Sequence, residues 1–107
     1  EVRARIDRDV RGAAQKIIAG KGATYYGIAS ALARIARAVL GDQRAVLTVS
    51  SYTAEICGVT DVTLSLPRLV GGEGVMAEFS PPLLADEALA LGRSAATIKQ
   101  ATDSLTL

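Results

Sequence analysis

Apolar residues recur at steps of three and four over the start of the chain: Val2, Ile6, Val10, Ala13, Ala14, Ile17 and Ile18. At 3.6 residues per turn these positions form one stripe, so the segment reads as an amphipathic helix. Gly20-Lys21-Gly22 ends it, glycine being the usual residue just past a helix C-terminus. A second helix is predicted from about Tyr25 to Leu40, with Thr24 as its N-cap and Gly41 closing it. Ile28, Leu32, Ile35 and Val39 make its apolar face, and Gly27, Ala29, Ser30, Ala31, Ala33 and Ala36 cover most of the rest. Small side chains let neighbouring backbones approach closely, and an uncharged first half needs protein around it. The rest of the chain is too short to wrap this helix, so part of its surface expects another domain or another subunit.

The pattern then changes period. Ala45 to Tyr52 is β-rich and uncharged and reads as a strand. Ala54 to Thr60 reads as a loop broken at Gly58, and Val62 to Val70 as a second strand. Pro67 within that strand argues for an edge position or a bulge. Gly71-Gly72-Glu73-Gly74 reads as a tight turn, and Val75 to Phe79 as the returning strand of a β-hairpin. Pro81-Pro82 breaks the chain before a last helix from about Ala85. Asp86 and Glu87 stand favourably in its first turn; Leu91, Ala95, Ile98 and Leu105 give it an apolar face. The fold class is α+β: two packed helices, an antiparallel ribbon of about three strands and a C-terminal helix, in a single domain over residues 1–107.

Composition narrows the chemistry. The 107 residues include no His, no Trp and one Cys, and the formal net charge is +1. Without imidazole the chain has no histidine base, proton shuttle or metal ligand of its own. A lone Cys57 makes no internal disulfide and no multi-cysteine zinc site. There is no Asn, hence no N-glycosylation acceptor. The longest uncharged run, Gly22 to Ala33, is 12 residues, well short of the ~20 that span a bilayer. No signal-peptide pattern opens the chain, and a start inside a charged helix reads as a cut.

Charge is unevenly divided. Residues 1–44 hold nine Lys/Arg against four Asp/Glu, and residues 45–107 hold three against seven. A basic front half invites a nucleic-acid reading. Arg3, Arg5, Arg8 and Arg11, however, are interleaved with Asp7 and Asp9, and only Tyr25 and Tyr26 are nearby aromatics; a solvated helix face or a protein interface explains them better. Gly20-Lys21-Gly22-Ala23-Thr24 lacks the spacing of a phosphate loop and follows a helix, not a strand. Gly71-Gly72-Glu73-Gly74 lacks the dinucleotide fingerprint. Ser50-Ser51 and Cys57 have no base to activate them, and Asp7/Asp9 and Asp86/Glu87 read as solvated charges. Thr24 is an N-cap by default and a ligand contact by alternative.

Lys21-Gly22-Ala23-Thr24-Tyr25-Tyr26-Gly27-Ile28-Ala29 resembles the signature segment of bacterial L-lactate dehydrogenases, within the lactate/malate dehydrogenase family. The flanks agree: Val10-Arg11-Gly12-Ala13-Ala14, Leu32-Ala33-Arg34-Ile35, Ala45-Val46-Leu47-Thr48-Val49-Ser50, Cys57-Gly58, Leu66-Pro67 and Ser94-Ala95 all fall in one register. The resemblance implies the C-terminal part of the catalytic domain. It places the NAD-binding Rossmann domain, the mobile substrate loop, two arginines and an Asp–His pair before Glu1.

Residue by residue, the resemblance implies that Thr24 walls the side-chain end of the substrate pocket. Ile28 packs on the nicotinamide ring, and Ala13 and Ala14 leave room on the opposing helix. Gln15 departs from the family's usual tyrosine. The implied parent is a cytoplasmic, homotetrameric oxidoreductase of glycolysis. It transfers hydride between L-lactate and NAD, and its partners are the Rossmann domain, identical subunits and lactate or pyruvate. No catalytic residue, metal, nucleic acid or membrane is expected for this chain, which is inactive alone. The competing reading is a stand-alone interaction module whose helix pair binds a partner protein. A nucleic-acid binder through the first helix is a third.

Overall fold

The computed structural model describes residues 1–105. In chain order it forms α1 (Val2–Lys21), α2 (Tyr26–Leu40), β1 (Ala45–Ile56), β2 (Val59–Gly71), β3 (Gly74–Glu78) and α3 (Ala85–Asp103). These elements fall into two compact units, one from Glu1 to Ala36 and the other from Arg37 onward.

In the first unit α1 forms over the predicted stripe, yet no residue of α1 is buried. Val2, Ile6 and Val10 are all more than half exposed. The helix pair is present, but neither stripe is covered by the other helix. The charges of α1 largely answer one another: Arg11 Nε donates to Asp7 at 2.9 Å and Lys16 Nζ to Asp9 at 3.3 Å. The Asp7 hydrogen bond also pushes the Arg11 pKa above its ordinary value. Such exposed pairs add little stability, but they agree with a solvated face.

The second unit is built around β2, the middle strand of an antiparallel sheet ordered β1-β2-β3. Val62, Leu64, Leu66 and Val70 are buried at alternate positions, while Thr63 and Ser65 face out. This is the period-two pattern of a strand with one covered face. α3 covers it: Ala95 is fully buried against Val62, Leu64 and Leu66, with Leu91 and Ile98 alongside. Leu105, expected on that helical face, lies beyond the helix end at Asp103 and is exposed. At the other end of α3, Leu84 N–H donates to the Glu87 carboxylate at 2.9 Å, tying down the first turn.

The turn between β1 and β2 is tighter than the loop expected over Ala54 to Thr60. Ile56 pairs with Val59, leaving a two-residue turn at Cys57-Gly58 with both residues at positive φ, 49° and 78°. That is the geometry of a type I′ hairpin, and a cysteine there hides the signal. Pro67 proves compatible with a central strand for a local reason. Its carbonyl accepts the Phe79 N–H, so its ring nitrogen faces the side where β3 has just ended at Glu78. No ladder bond to β1 is lost. An irregularity between Leu69 and Val70 lies two residues further on.

Arg68 shares the covered face of β2 and is 1% exposed. Its guanidinium donates to the Glu78 carboxylate, to Thr53 Oγ1 at 2.7 Å and to the Ser51 carbonyl at 3.2 Å. Leu47 is its cross-strand neighbour, and Thr53 stands six positions further along β1. On a flat strand that is roughly 20 Å at ~3.3 Å per residue, beyond the reach of an arginine. The β1–β2 ribbon must therefore coil strongly on itself, in the sense that strand twist favours.

A second tie joins the helical corner to the hairpin. Asp42 and Arg44, both at positive φ, turn the chain from α2 into β1. Asp42 Oδ1 accepts the Gly72 N–H at 2.8 Å. A Cβ at Gly71 would sit 2.7 Å from both Asp42 Oδ1 and Met76 Sδ, so only glycine fits there.

Two outcomes follow for stability. Arg68→Ala should destabilise the chain by about 2–4 kcal/mol in urea unfolding, the lower part of the range for a broken buried pair because Glu78 is partly solvated. Arg68→Met, which keeps the stem volume, should cost less. The Gly72 hydrogen bond, foremost, and Arg44 hold the Asp42 pKa below the ordinary 3.8. The folded state thus favours the ionised form. That stabilisation is fully present above pH ~4 and disappears as pH falls through the lower folded value. Asp42→Ala should lower the melting temperature at pH 7, and the gap to the unmodified chain should close towards pH 2.

Candidate functional site

Within the first unit, the turn between the two helices is set by Gly22. It stands at φ 75°, ψ −11°, and its N–H donates to the Ile18 carbonyl at 2.7 Å. This left-handed cap is what glycine supplies without steric cost. Lys21, in the last turn of α1, is favourably placed against the carbonyl end of the helix dipole. Its Nζ also lies 5.5 Å from the centre of the Tyr26 ring, within cation–π range. Tyr25 and Tyr26 stack at 4.7 Å, tilted by 49°.

The Tyr25 carbonyl accepts the Ala29 N–H at 2.9 Å, so Tyr25 and not Thr24 occupies the N-cap position of α2. α2 begins one residue later than expected, and Thr24 sits in the turn itself. Its hydroxyl is thereby freed from the capping role that residue type alone assigns to it.

The turn encloses a cavity of about 550 Å³. Ala14 and Ile17 of α1 line one side, Thr24 the turn, and Ile28 the first turn of α2, with Lys16 and Lys21 also contributing. Three of the four residues singled out in the sequence, Ala14, Thr24 and Ile28, are thus brought to one cavity wall. Ala13 is not part of its lining. Ile17, Lys16, Lys21 and Tyr26 also line it. Of these, Ile17 had a signal in the sequence, one helical turn from Ala14.

The lining offers aliphatic surface, aromatic surface, one hydroxyl and two ammonium groups. It offers no carboxylate, thiol or imidazole. Among the described residues no group of three or more Cys, Asp or Glu is placed to hold a metal ion. Elsewhere, Ser50 and Ser65 hydroxyls bond each other at 2.7 Å. Tyr52 donates to Asp61 at 2.6 Å, and this carboxylate hydrogen bond holds the phenol above its ordinary pKa of 10. These are structural contacts and do not activate a nucleophile. The chemistry available to the cavity is shape, exclusion of water and a single polar mark.

Gly22→Ala should strain the turn by roughly 1–2 kcal/mol, the cost of a left-handed non-glycine residue. The readout is loss of helical circular dichroism on heating, and an unchanged melting curve would show that the turn does not depend on this cap.

Comparison with known proteins places this site in context. The family model for the lactate/malate dehydrogenase, alpha/beta C-terminal domain, matches residues 1–106. The chain is 54% identical over 98 residues to an L-lactate dehydrogenase of Allorhizobium ampelinum, covering 92% of this chain and 32% of that protein. It is 53% identical over 103 residues to that of Thermus aquaticus, covering 96% and 33%. Among solved structures, an L-lactate dehydrogenase from Clostridium thermocellum superposes with a TM-score of 0.87 at 36% identity, over 97% of this chain and 36% of that one. The chain therefore spans about a third of the length of the curated relatives it matches.

Proposed function

The chain belongs to the lactate/malate dehydrogenase family, and from that membership we propose that it is the C-terminal third of an L-lactate dehydrogenase. The observation that carries this reading is the unbroken likeness to L-lactate dehydrogenases over more than nine-tenths of the chain. The cavity beside Thr24 supports it. The parent reaction converts L-lactate and NAD to pyruvate, NADH and a proton.

The residues present suit a wall for the dinucleotide and do not suit a complete holder. Ile28 is 63% exposed and aliphatic, a surface fit for the flat face of a nicotinamide ring. No glycine-rich phosphate loop follows a strand anywhere in the chain. When bound, NAD supplies the hydride acceptor. Ile28 excludes water from beside it, which hydride transfer requires. Thr24 marks the end of the pocket that receives the small substrate side chain, and Ala14 keeps the opposite wall shallow. Ala13 serves the same helix face next to it. The chain has no histidine, so the proton that accompanies the hydride is handled by the remainder of the enzyme.

The remainder also explains the exposed stripe of α1: a Rossmann domain and identical subunits are its partners in this reading. A cytoplasmic homotetramer completes it. No helix among the described residues is long and apolar enough to cross a membrane. In contrast, a stand-alone interaction module leaves the half-exposed Ile17 and Ile28 beside Thr24 without a reason.

The test is a chimera in which residues 1–107 replace the C-terminal third of the Thermus aquaticus enzyme. It should oxidise NADH with pyruvate, while the 107-residue chain alone should not. Thr24→Ala in the chimera should lower kcat/KM for pyruvate by roughly tenfold to a hundredfold, the scale of a small change in an apolar pocket. A folded chimera without pyruvate reduction would overturn the reading.

A further inference from the structure

We infer that two copies of this chain pair through the free edge of β1, antiparallel and about a two-fold axis at Val49. The inference stands apart from the catalytic reading and rests on the sheet alone.

Among the described residues β2 is the only strand paired with β1, so β1 is an edge of the sheet. Edge strands of lone proteins are usually short, charged, bulged or interrupted by proline. β1 runs twelve residues with unbroken register. From Ala45 to Ala54 it carries no charge and no proline. None of the usual guards against strand addition is present, and a row of backbone N–H and C=O groups points outward.

The side chains select a second copy as the occupant. β1 has two large exposed apolar residues, Val46 at 59% and Tyr52 at 60%. Both lie on the face away from α3, three positions either side of Val49. Antiparallel pairing centred on Val49 sets Val46 of each copy opposite Tyr52 of the other, twice by symmetry. An aromatic ring against a β-branched side chain is a favourable cross-strand pair. Tyr52 is held ready for it by its hydrogen bond to Asp61.

The same register sets Thr48 opposite Ser50 on the outer face. On the inner face Leu47, half-buried, meets Ser51, and half-buried Val49 meets its own copy. At each end Arg44 of one copy falls beside Ala54 and Glu55 of the other, so the charges that bound the neutral stretch are of opposite sign where they meet. A self-complementary patch of this kind is what a two-fold interface requires.

Sedimentation of the 107-residue chain over a range of concentrations tests the pairing. The unmodified chain should show a reversible monomer–dimer equilibrium. Thr48→Lys with Ser50→Lys sets like charges opposite one another without touching the core, and should weaken association at least tenfold. Thr48→Glu with Ser50→Glu should do the same, and an equimolar mixture of the two variants should restore a dimer. In the unmodified chain, the β1 amides that do not pair with β2 should gain hydrogen-exchange protection as concentration rises; this readout needs no variant. A chain that stays monomeric overturns the inference. So does association indifferent to both variants, which would place the contact elsewhere, such as the α1 stripe. Free exchange of those amides in the dimer overturns it as well.

Discussion

Alternation along β2 organises the second unit. Because successive side chains of a strand point to opposite faces, Val62, Leu64, Leu66 and Arg68 fall on one side and need cover there. α3 supplies it for the three aliphatic residues, with Ala95 small enough to let the helix lie close. Arg68 cannot be covered in the same way. A buried guanidinium must find acceptors, and those available, Glu78, Thr53 and the Ser51 carbonyl, lie on the strands to either side. Satisfying it binds all three strands together and requires the ribbon to coil. The apolar part of the face fixes where α3 sits; the polar part fixes the curvature of the sheet.

The first unit obeys the opposite logic. Its periodicity is as clear as that of β2, but α1 buries nothing. Helix propensity and local capping set the two helices and the turn at Gly22, and they leave an apolar stripe in water. Packing, which supplies most helical stability in proteins, is here left to surfaces outside the chain. A cavity at such a turn is suited to being one wall of a larger site. The same incompleteness recurs at the edge of β1, where the missing element is a strand.

How far the sequence foretold this depends on what each residue signals. Periodicity located all three helices and all three strands, because periods of 3.6 and 2 follow from geometry. It failed at the hairpin tip, since Cys57 is not a residue from which positive φ is expected, and the strands ran on through a segment that reads as loop. Pro67 was read correctly as a local edge, although its strand is central; what matters is which side its ring nitrogen faces. Thr24 misled, because a threonine before a helix is usually its cap, while the chain places Tyr25 there. Ala14, Thr24 and Ile28 became meaningful through resemblance to a family, since small and aliphatic residues carry no chemical signal of their own. Arg68 gave no sign of burial: one arginine in a strand looks like a solvent-facing charge until its acceptors are seen.

A chain without histidine at first seems to stand outside acid–base enzymology. The geometry gives that absence a narrower meaning. Hydride transfer needs two unlike provisions: groups that move a proton, and an enclosure that keeps water from the hydride. The second asks for small and aliphatic side chains, close backbones and one or two polar marks. Those are what the turn around Gly22 presents, with Ala14 and Ile17 on one wall, Ile28 on the other, and Thr24 between them. An imidazole is not needed for that part of the work, and a lining of this composition is best understood as enclosure.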